Sequence, residues 1–143
     1  MSLKHQRLRY KDHGSRSDSM YSVEADKSKR FFVISAAGHV TGEEVKEAAR
    51  QVREIVENVK PGFRLLTDFR WLDSMEPTAA HYIAQIMDAL AEKKVGLVVR
   101  VVPDPRKDIG LNILSQFHYG SGVQFATFES LAEALQLLAE NVD

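Results

Sequence analysis

The sequence predicts an α/β domain with a mostly parallel or mixed β-sheet of about five strands and about four helices, in the order ββαβαβαβα. Apolar, β-branched segments alternate with segments in which apolar residues recur every three or four positions. Two of the helical segments begin with a capping-box pattern, and a third begins with Asp-Pro. Strands that alternate with helices in this way are typical of a sheet covered by helices.

The amino-acid composition of the chain excludes several classes of protein. The chain has 143 residues and a formal net charge of −1, so no overall field attracts nucleic acid or an anionic membrane. The absence of cysteine excludes disulfides, thiolate metal sites and cysteine nucleophiles. The sequence shows no signal-peptide pattern and no apolar run of the roughly 18 to 20 residues that a membrane span needs. We therefore expect a cytoplasmic protein that binds no nucleic acid.

Residues 1–19 differ from the rest of the chain. They are rich in Lys, Arg, His and Ser and contain few apolar residues, a composition typical of disorder. We predict a basic, disordered tail, followed by a single α/β domain over residues 20–143. Two alternatives stay open: a basic arm that contacts nucleic acid or a partner, and a weak edge strand in QRLRYK, where Leu8 and Tyr10 alternate with polar residues.

The domain is predicted to open with a β-hairpin and a first helix. MYSVEAD and RFFVISAAG are the predicted strands, separated by the turn chemistry of ADKSKR. Thr41 and Glu44 have the spacing of a capping box, with Thr41 as the N-cap. The apolar residues behind them form one face of an amphipathic helix that Pro61-Gly62 ends. This face contains Val45, Ala48, Ala49, Val52, Ile55, Val56 and Val59.

The middle of the chain predicts a strand, a helix and another strand. FRLLTDF is a short, mostly apolar strand, and Pro77 suits the first turn of the second helix. VGLVVRVV is an almost continuous apolar run, as expected of a strand covered on both faces. The predicted buried stripe of the second helix contains Ala80, Ile83, Ala84, Met87, Leu90 and Ala91.

The last part of the chain predicts a third helix, a strand and a fourth helix. Asp104-Pro105 has the pattern of an N-cap followed by the first helical residue. GVQFATF is the last strand, and Ser130 and Glu133 form a second capping-box pattern that opens LAEALQLLAE. The predicted anchors of the third helix are Ile109, Ile113, Leu114 and Phe117.

Motifs of several α/β enzyme classes are absent from the sequence. It contains no G-x-G-x-x-G after a strand, no P-loop and no G-x-S-x-G elbow. Its five histidines lack the spacing of metal ligands. The acids and the lysine that a phosphoacceptor receiver domain needs are also missing from the predicted strand ends. We therefore predict no cofactor, no metal site and no catalytic residue.

One stretch, TDFRWLDSMEPTAAH (residues 67–81), concentrates polar side chains just beyond a strand end. Ligands gather at such positions in parallel sheets, and Asp68, Asp73 and Glu76 lie there. A purely structural interpretation accounts for the same residues, with Ser74 or Glu76 capping the second helix and the other carboxylates in solvent. The sequence leaves both interpretations open.

The layout resembles the STAS domain, the fold of bacterial anti-sigma factor antagonists, and in particular its SpoIIAA-like branch. The resemblance rests on Gly38-His39-Val40-Thr41 before the first helix, on Leu65-Leu66-Thr67-Asp68 at a strand end, and on Met75-Glu76-Pro77-Thr78-Ala79 before the second helix. It covers residues 20 to 139, and it implies that residues 20–143 form one STAS-like domain with a regulatory, protein-binding role.

The resemblance also implies roles for residues of the acidic stretch. Glu76 falls at the second Asp of the family pattern, and Pro77 falls at the serine that partner kinases phosphorylate. Thr78 takes the next hydroxyl position and Ala79 that of the glycine. Because proline cannot accept phosphate, the usual serine switch is expected to be absent, with Thr78 or Ser74 as the substitute phosphoacceptors.

Two further residues are candidates for the site. Arg100 interrupts VGLVVRVV on the same face as Val98 and Val102. It snorkels to the sheet edge, forms a structural ion pair, or pairs with the acidic stretch beside an anionic ligand. Trp71 either closes the core or lines a pocket or partner surface.

Three functional hypotheses follow. The first is a non-enzymatic STAS-like domain that binds a protein partner through the loop and helix around Asp68–Ala80. The second is a carrier of a small apolar or lipid-like ligand. The third is an enzyme that uses the acidic cluster, with His39 or His81 as base. A homodimer through an edge strand or a helix face is also compatible with the sequence. The predicted binding residues are Asp68, Trp71, Asp73, Ser74, Glu76, Thr78 and Arg100.

Overall fold

The computed structural model describes residues 3–10, 19–28, 30–120 and 122–140. In these residues, six strands form one sheet in the spatial order β1-β2-β3-β4-β5-β6. Neighbouring strands from β1 to β3 are antiparallel, and those from β3 to β6 are parallel. The strands are β1 (Leu3–Tyr10), β2 (Ser19–Asp26), β3 (Phe31–Val40), β4 (Arg64–Met75), β5 (Leu97–Val101) and β6 (Gln124–Phe128).

Four α-helices occur in the same described residues. From β2 onward the elements follow the order ββαβαβαβα. The predicted α/β class, the mixed sheet and the element order are therefore confirmed, and β1 adds a sixth strand. The helices are α1 (Gly42–Val56), α2 (Ala79–Glu92), α3 (Ile109–His118) and α4 (Leu131–Glu140), and a 3₁₀ turn (Pro105–Asp108) precedes α3.

β1 lies within the segment that the sequence analysis predicted to be a disordered tail. It pairs antiparallel with β2, from Leu3 opposite Asp26 to Tyr10 opposite Ser19. β1 includes residues 6–10 of the QRLRYK segment, for which an edge strand was the alternative, and begins three residues before it. Pairing at a sheet edge satisfies backbone groups, so a polar composition does not prevent it. Of the rest of the predicted tail, Ser19 begins β2, and residues 1–2 and 11–18 lie outside the described residues.

The helices cover apolar clusters on both faces of the sheet. On one face, Val52 of α1 and Leu90 of α2 pack with Leu65 of β4. On the other face, Leu138 of α4 packs with Val99 of β5. Full burial of one such side chain stabilises a fold by about 1.5–3 kcal/mol. β5 is buried along its whole length, as predicted for a strand covered on both faces.

The predicted capping box of α1 is complete, and that of α4 is formed in part, because Glu133 Oε1 accepts from the Ser130 hydroxyl. Thr41 Oγ1 accepts a hydrogen bond of 3.2 Å from the Glu44 N–H, and Glu44 Oε1 accepts one of 2.9 Å from the Thr41 N–H. Ser130 Oγ accepts from the Glu133 N–H at 3.3 Å and donates to Glu133 Oε1 at 2.9 Å. These contacts satisfy free N–H groups at the starts of α1 and α4.

The predicted start of the third helix was wrong by about one turn. Asp104 Oδ1 accepts a hydrogen bond of 3.0 Å from the Arg106 N–H and so caps the 3₁₀ turn. α3 begins later, at Ile109. Asp104-Pro105 does start a helical segment, but the tighter 3₁₀ turn comes first, as is frequent at helix N-termini.

Gly42, the first residue of α1, lies against Thr78 at the start of α2. A Cβ added at Gly42 would lie 2.3 Å from Thr78 Oγ1 and 3.1 Å from Thr78 Cβ. We expect Gly42→Ala to lower the free energy of unfolding by about 1 kcal/mol, because overpacking outweighs the gain in helix propensity. Urea titration measures the change.

The matched control for this prediction is Gly110→Ala in α3, where an added Cβ meets no atom within 4 Å. This substitution should leave stability unchanged or raise it by up to about 1 kcal/mol through helix propensity. Equal stabilisation by both alanines would contradict the close approach of α1 and α2.

Candidate functional site

β4 continues well beyond the end of its neighbour β5. β5 pairs with β4 no further than Asp68, whereas β3 pairs with β4 as far as Met75. The prediction of a strand end near Asp68 followed by a tight loop was therefore wrong, and Asp73 and Ser74 lie within the strand. Pairing with β3, which local sequence does not reveal, keeps this part extended. We call residues 69–75 the β4 extension.

Glu76 caps a different helix from the one predicted. Its Oε1 accepts a hydrogen bond of 2.6 Å from the Gly42 N–H in the first turn of α1, and its own N–H donates to the Val40 carbonyl oxygen at 2.9 Å. Thr78, the N-cap of α2, makes no side-chain capping bond. The prediction that Ser74 or Glu76 caps α2 was therefore wrong. The N–H groups and dipole at the start of α1 attract the Glu76 carboxylate instead.

Ser74 pairs across the strands with a histidine. His39 stands opposite Ser74 in the β3–β4 ladder, and its Nδ1 lies 2.6 Å from Ser74 Oγ. Both residues are exposed, as are Asp73 and Thr78. The roles of Ser74 and Thr78 as phosphoacceptors stay predictions. His39 was predicted as a candidate base, but its pairing with Ser74 was not predicted, because their contact depends on strand register.

Asp68 and Trp71 lie on the sheet face that carries α4, beside Ser22 and Ser35. Asp68 accepts two hydrogen bonds of 2.9 Å from Arg70, and this interaction raises the pKa of the Arg70 guanidinium. The Arg70 guanidinium lies 5.8 Å from the centre of the Trp71 ring. Trp71 is 70% exposed and does not close the core.

An open apolar groove lies on the opposite face, between the β4 extension, the start of α2 and α3. It has a volume of about 580 Å³. Its charged lining residues are Asp73 and Glu76, and Ser74 contributes a hydroxyl. We call it the β4–α3 groove. Four further lining residues belong to the predicted stretch Asp68–Ala80 without having been singled out: Leu72, Met75, Pro77 and Ala80. The lining residues outside that stretch are Ile83, Gly110, Leu111, Ile113 and Leu114.

α3 exposes most of the residues that were predicted to anchor it. Ile109, Ile113 and Phe117 are 61%, 50% and 80% exposed. Residues four apart follow one another along a helix surface, so the three form a row that we call the α3 ridge. The prediction that all the anchors are buried was wrong, because α3 contacts the domain through half-buried Leu114 and buried Ser115.

Arg100 fixes α3 to the sheet. Its side chain is 3% exposed and donates to Asp108 Oδ1 at 2.7 Å and to Ser115 Oγ at 2.5 Å. Ser115 Oγ in turn donates to the Leu111 carbonyl oxygen at 2.9 Å. Arg100 thus forms the structural ion pair, with a partner from the 3₁₀ turn and not from the acidic stretch. Nearby, burial raises the pKa of the Tyr119 hydroxyl, and Arg100 opposes that shift.

The predicted site residues therefore separate into four places. Asp73, Ser74 and Glu76 line the β4–α3 groove, and Thr78 is the N-cap of α2, against Gly42. Asp68 and Trp71 lie on the opposite face, and Arg100 is buried beneath α3. In the described part of the chain, no group of three or more His, Asp and Glu side chains is arranged to hold a metal ion. Across the same residues, every helix is too short or too polar to cross a membrane.

Solved structures with the same architecture identify the fold. An uncharacterized protein of the DUF3478 family with a SpoIIAA-like fold, from Shewanella loihica PV-4, superposes with a TM-score of 0.64 at 17% identity, over 87% of this chain and 97% of that chain. The unphosphorylated anti-sigma factor antagonist SpoIIAA gives 0.59 at 14% identity, over 85% of this chain and 99% of that one.

An anti-sigma factor antagonist from Mycobacterium paratuberculosis superposes with a TM-score of 0.56 at 18% identity, over 85% of this chain and 94% of that one. Comparison with protein-family models and with curated protein sequences finds no match. At these identities the structural likeness defines the fold. The chain has a SpoIIAA-like, that is STAS-like, fold, which confirms the resemblance drawn from the sequence.

Substitution of Glu76 tests its role as a cap of α1. We expect Glu76→Ala to lower the free energy of unfolding by about 1 kcal/mol, because the Gly42 N–H loses its acceptor. Glu76→Gln keeps an oxygen acceptor and loses the charge beside the helix dipole, so its effect should be a few tenths of a kcal/mol. Chemical denaturation of both variants measures these differences, and Asp73→Ala, at an exposed position, is the control. If Glu76→Ala changed the free energy of unfolding no more than Asp73→Ala does, Glu76 would not be a cap of α1.

Substitution of Asp108 tests the attachment of α3. Asp108→Ala leaves the buried Arg100 guanidinium without its carboxylate, and loss of one partner of such a pair costs about 3 kcal/mol. The control is Arg106→Ala, which breaks the exposed pair with Asp104 and should leave stability unchanged. Thermal unfolding compares them, and hydrogen exchange should show faster exchange in α3 of Asp108→Ala. Equal melting temperatures for Asp108→Ala and Arg106→Ala would contradict the role of Asp108 in anchoring α3.

Proposed function

We propose that this chain is a non-enzymatic regulatory domain that binds a protein partner through the β4–α3 groove. The observation that carries the proposal is the groove itself, an open apolar depression beside a helix with an exposed apolar ridge. It lies beyond the carboxyl ends of parallel strands, where ligand sites occur in α/β folds. Its floor, the β4 extension, belongs to the stretch Asp68–Ala80, which was predicted from the sequence to bind a partner.

The chemistry of the groove supports binding more than catalysis. Its lining is mostly apolar, and the Glu76 carboxylate is already bonded to the Gly42 N–H. The Ser74–His39 pair supplies a hydroxyl and an imidazole, but no carboxylate in the described residues orients the His39 ring as a catalytic triad requires. Exposed contiguous apolar surface on a small domain is typical of an interaction site.

The structural neighbours support a regulatory role. Two of them are anti-sigma factor antagonists, and one of these is described in its unphosphorylated form. By analogy of fold, this chain would also act by binding another protein. Pro77 stands where the resemblance places the phosphorylated serine, so we propose that partner binding here does not depend on phosphate at that position.

Ala80 offers a way to block the groove without disturbing the fold. It is exposed, lines the groove and lies in the first turn of α2. Glutamate is favourable near a helix N-terminus, so Ala80→Glu should fold normally while placing a charge in the apolar groove. We expect this variant to lose at least nine-tenths of the partner that the tagged wild type captures from cell extract, because insertion would desolvate the charge.

The matched control is Leu135→Glu, which changes an exposed apolar residue of α4 on the far side of the domain. It should capture the same protein in the same amount as wild type. Mass spectrometry of the eluates identifies the partner. Undiminished capture by Ala80→Glu would show that the partner does not use the groove.

A second candidate function is the carriage of a small apolar ligand. The groove volume of about 580 Å³ lies within the range of roughly 300–1,000 Å³ that is usual for small-molecule sites. Native mass spectrometry distinguishes this candidate. An extra noncovalent mass on the wild type that Ala80→Glu lacks would favour the carrier, and a bare chain would favour the protein-binding domain.

A further inference from the structure

The α3 ridge is unusual among the surfaces of this domain. Ile109, Ile113 and Phe117 are large apolar residues that are at least half exposed, and they stand in one row. Ile113 also lines the β4–α3 groove. A convex apolar ridge and a concave apolar groove therefore lie side by side and share a helix.

The composition of α3 points to a protein interface. Its ten residues, IGLNILSQFH, include no Asp, Glu, Lys or Arg, although such residues make up 27% of the chain. Charged residues are depleted in the cores of protein interfaces, and aromatic residues are enriched there. Phe117, the most exposed large apolar residue described, stands in this charge-free helix.

We propose that the occupant of the β4–α3 groove is a second copy of this chain, in a two-fold symmetric dimer. A two-fold dimer uses the same patch on both subunits, so the patch must complement itself. A ridge beside a groove meets that requirement, because the ridge of each copy fills the groove of the other. The inference builds on the groove of the proposed function and adds that dimerisation covers the surface needed for a partner.

The charges around the groove are compatible with this arrangement. The groove contributes two carboxylates, Asp73 and Glu76, and the Glu76 carboxylate is held by α1. The ten residues of the incoming α3 include no carboxylate, and His118 in its last turn already lies 2.7 Å from Asp88 Oδ1 of α2 through its Nδ1. α3 itself therefore brings no negative charge to Asp73 and Glu76. Docking would also remove Ile109, Ile113 and Phe117 from water, which favours association.

Molar mass as a function of concentration tests the dimer. Phe117→Lys removes the most exposed apolar side chain of the α3 ridge, and lysine near a helix C-terminus suits the dipole. We expect light scattering to show a wild-type dimer that Phe117→Lys and Ala80→Glu each weaken at least tenfold. Leu135→Lys and Leu135→Glu, which introduce the same charges on α4, should dimerise like wild type. Circular dichroism confirms that each variant is folded.

Mixing the two weakened variants tests the ridge-in-groove geometry. Phe117→Lys keeps an intact groove, and Ala80→Glu keeps an intact ridge. A symmetric dimer contains two ridge-in-groove contacts, and a dimer of either variant alone can form neither of them. In a mixed dimer, the intact ridge of Ala80→Glu can fill the intact groove of Phe117→Lys, which restores one contact. We expect native mass spectrometry to show a heterodimer in the mixture at concentrations where each variant alone is monomeric.

Three results would overturn the dimer. They are a wild type that is monomeric up to its solubility limit, a dimer that Phe117→Lys does not weaken, and a mixture without heterodimers. The proposed function is judged separately, because Phe117→Lys leaves the groove intact and should capture the partner at least as well as wild type. A monomeric wild type whose capture is lost in Ala80→Glu would remove the dimer and keep the partner site.

Discussion

The buried Arg100 guanidinium is the interaction on which the site depends. A charge inside an apolar strand is costly unless it is paired and hydrogen-bonded, and Asp108 and Ser115 supply those bonds. Asp108 belongs to the 3₁₀ turn and Ser115 to α3, so their hydrogen bonds to Arg100 hold α3 against the sheet. Because polar contacts hold the helix in place, its apolar residues are not all required for packing, and the α3 ridge can face solvent.

The floor of the groove depends on a second long-range contact. Beyond Asp68, β4 has lost its neighbour β5 and pairs with β3 alone. Glu76, at the end of this extension, bonds to the first turn of α1 through its side chain and to Val40 through its backbone. The β4 extension is therefore held at both ends. A preorganised groove loses little entropy on binding, which favours affinity.

The sequence predicted the features that depend on neighbouring residues. Thr41 with Glu44 and Ser130 with Glu133 are three apart, and the elements that they start were assigned correctly. The site required contacts across 34 residues, as between Gly42 and Glu76, and strand register that local patterns do not encode. The predicted burial of the α3 anchors was wrong because a row of apolar residues predicts a covered surface but does not show whether the domain itself covers it. The absence of charged residues from α3 was the available signal for the interface that we propose for this row.

A ridge and a groove on one surface couple self-association to partner binding. If the dimer covers the groove, a partner binds the monomer alone, and its apparent affinity falls by the fraction of chains that are monomeric. The coupling is reciprocal, so a partner that occupies the groove dissociates the dimer. The resemblance implies that Pro77 replaces the phosphorylated serine of the family, so chain concentration would then regulate this surface in place of phosphate. The same apolar residues would provide both the binding energy and its control.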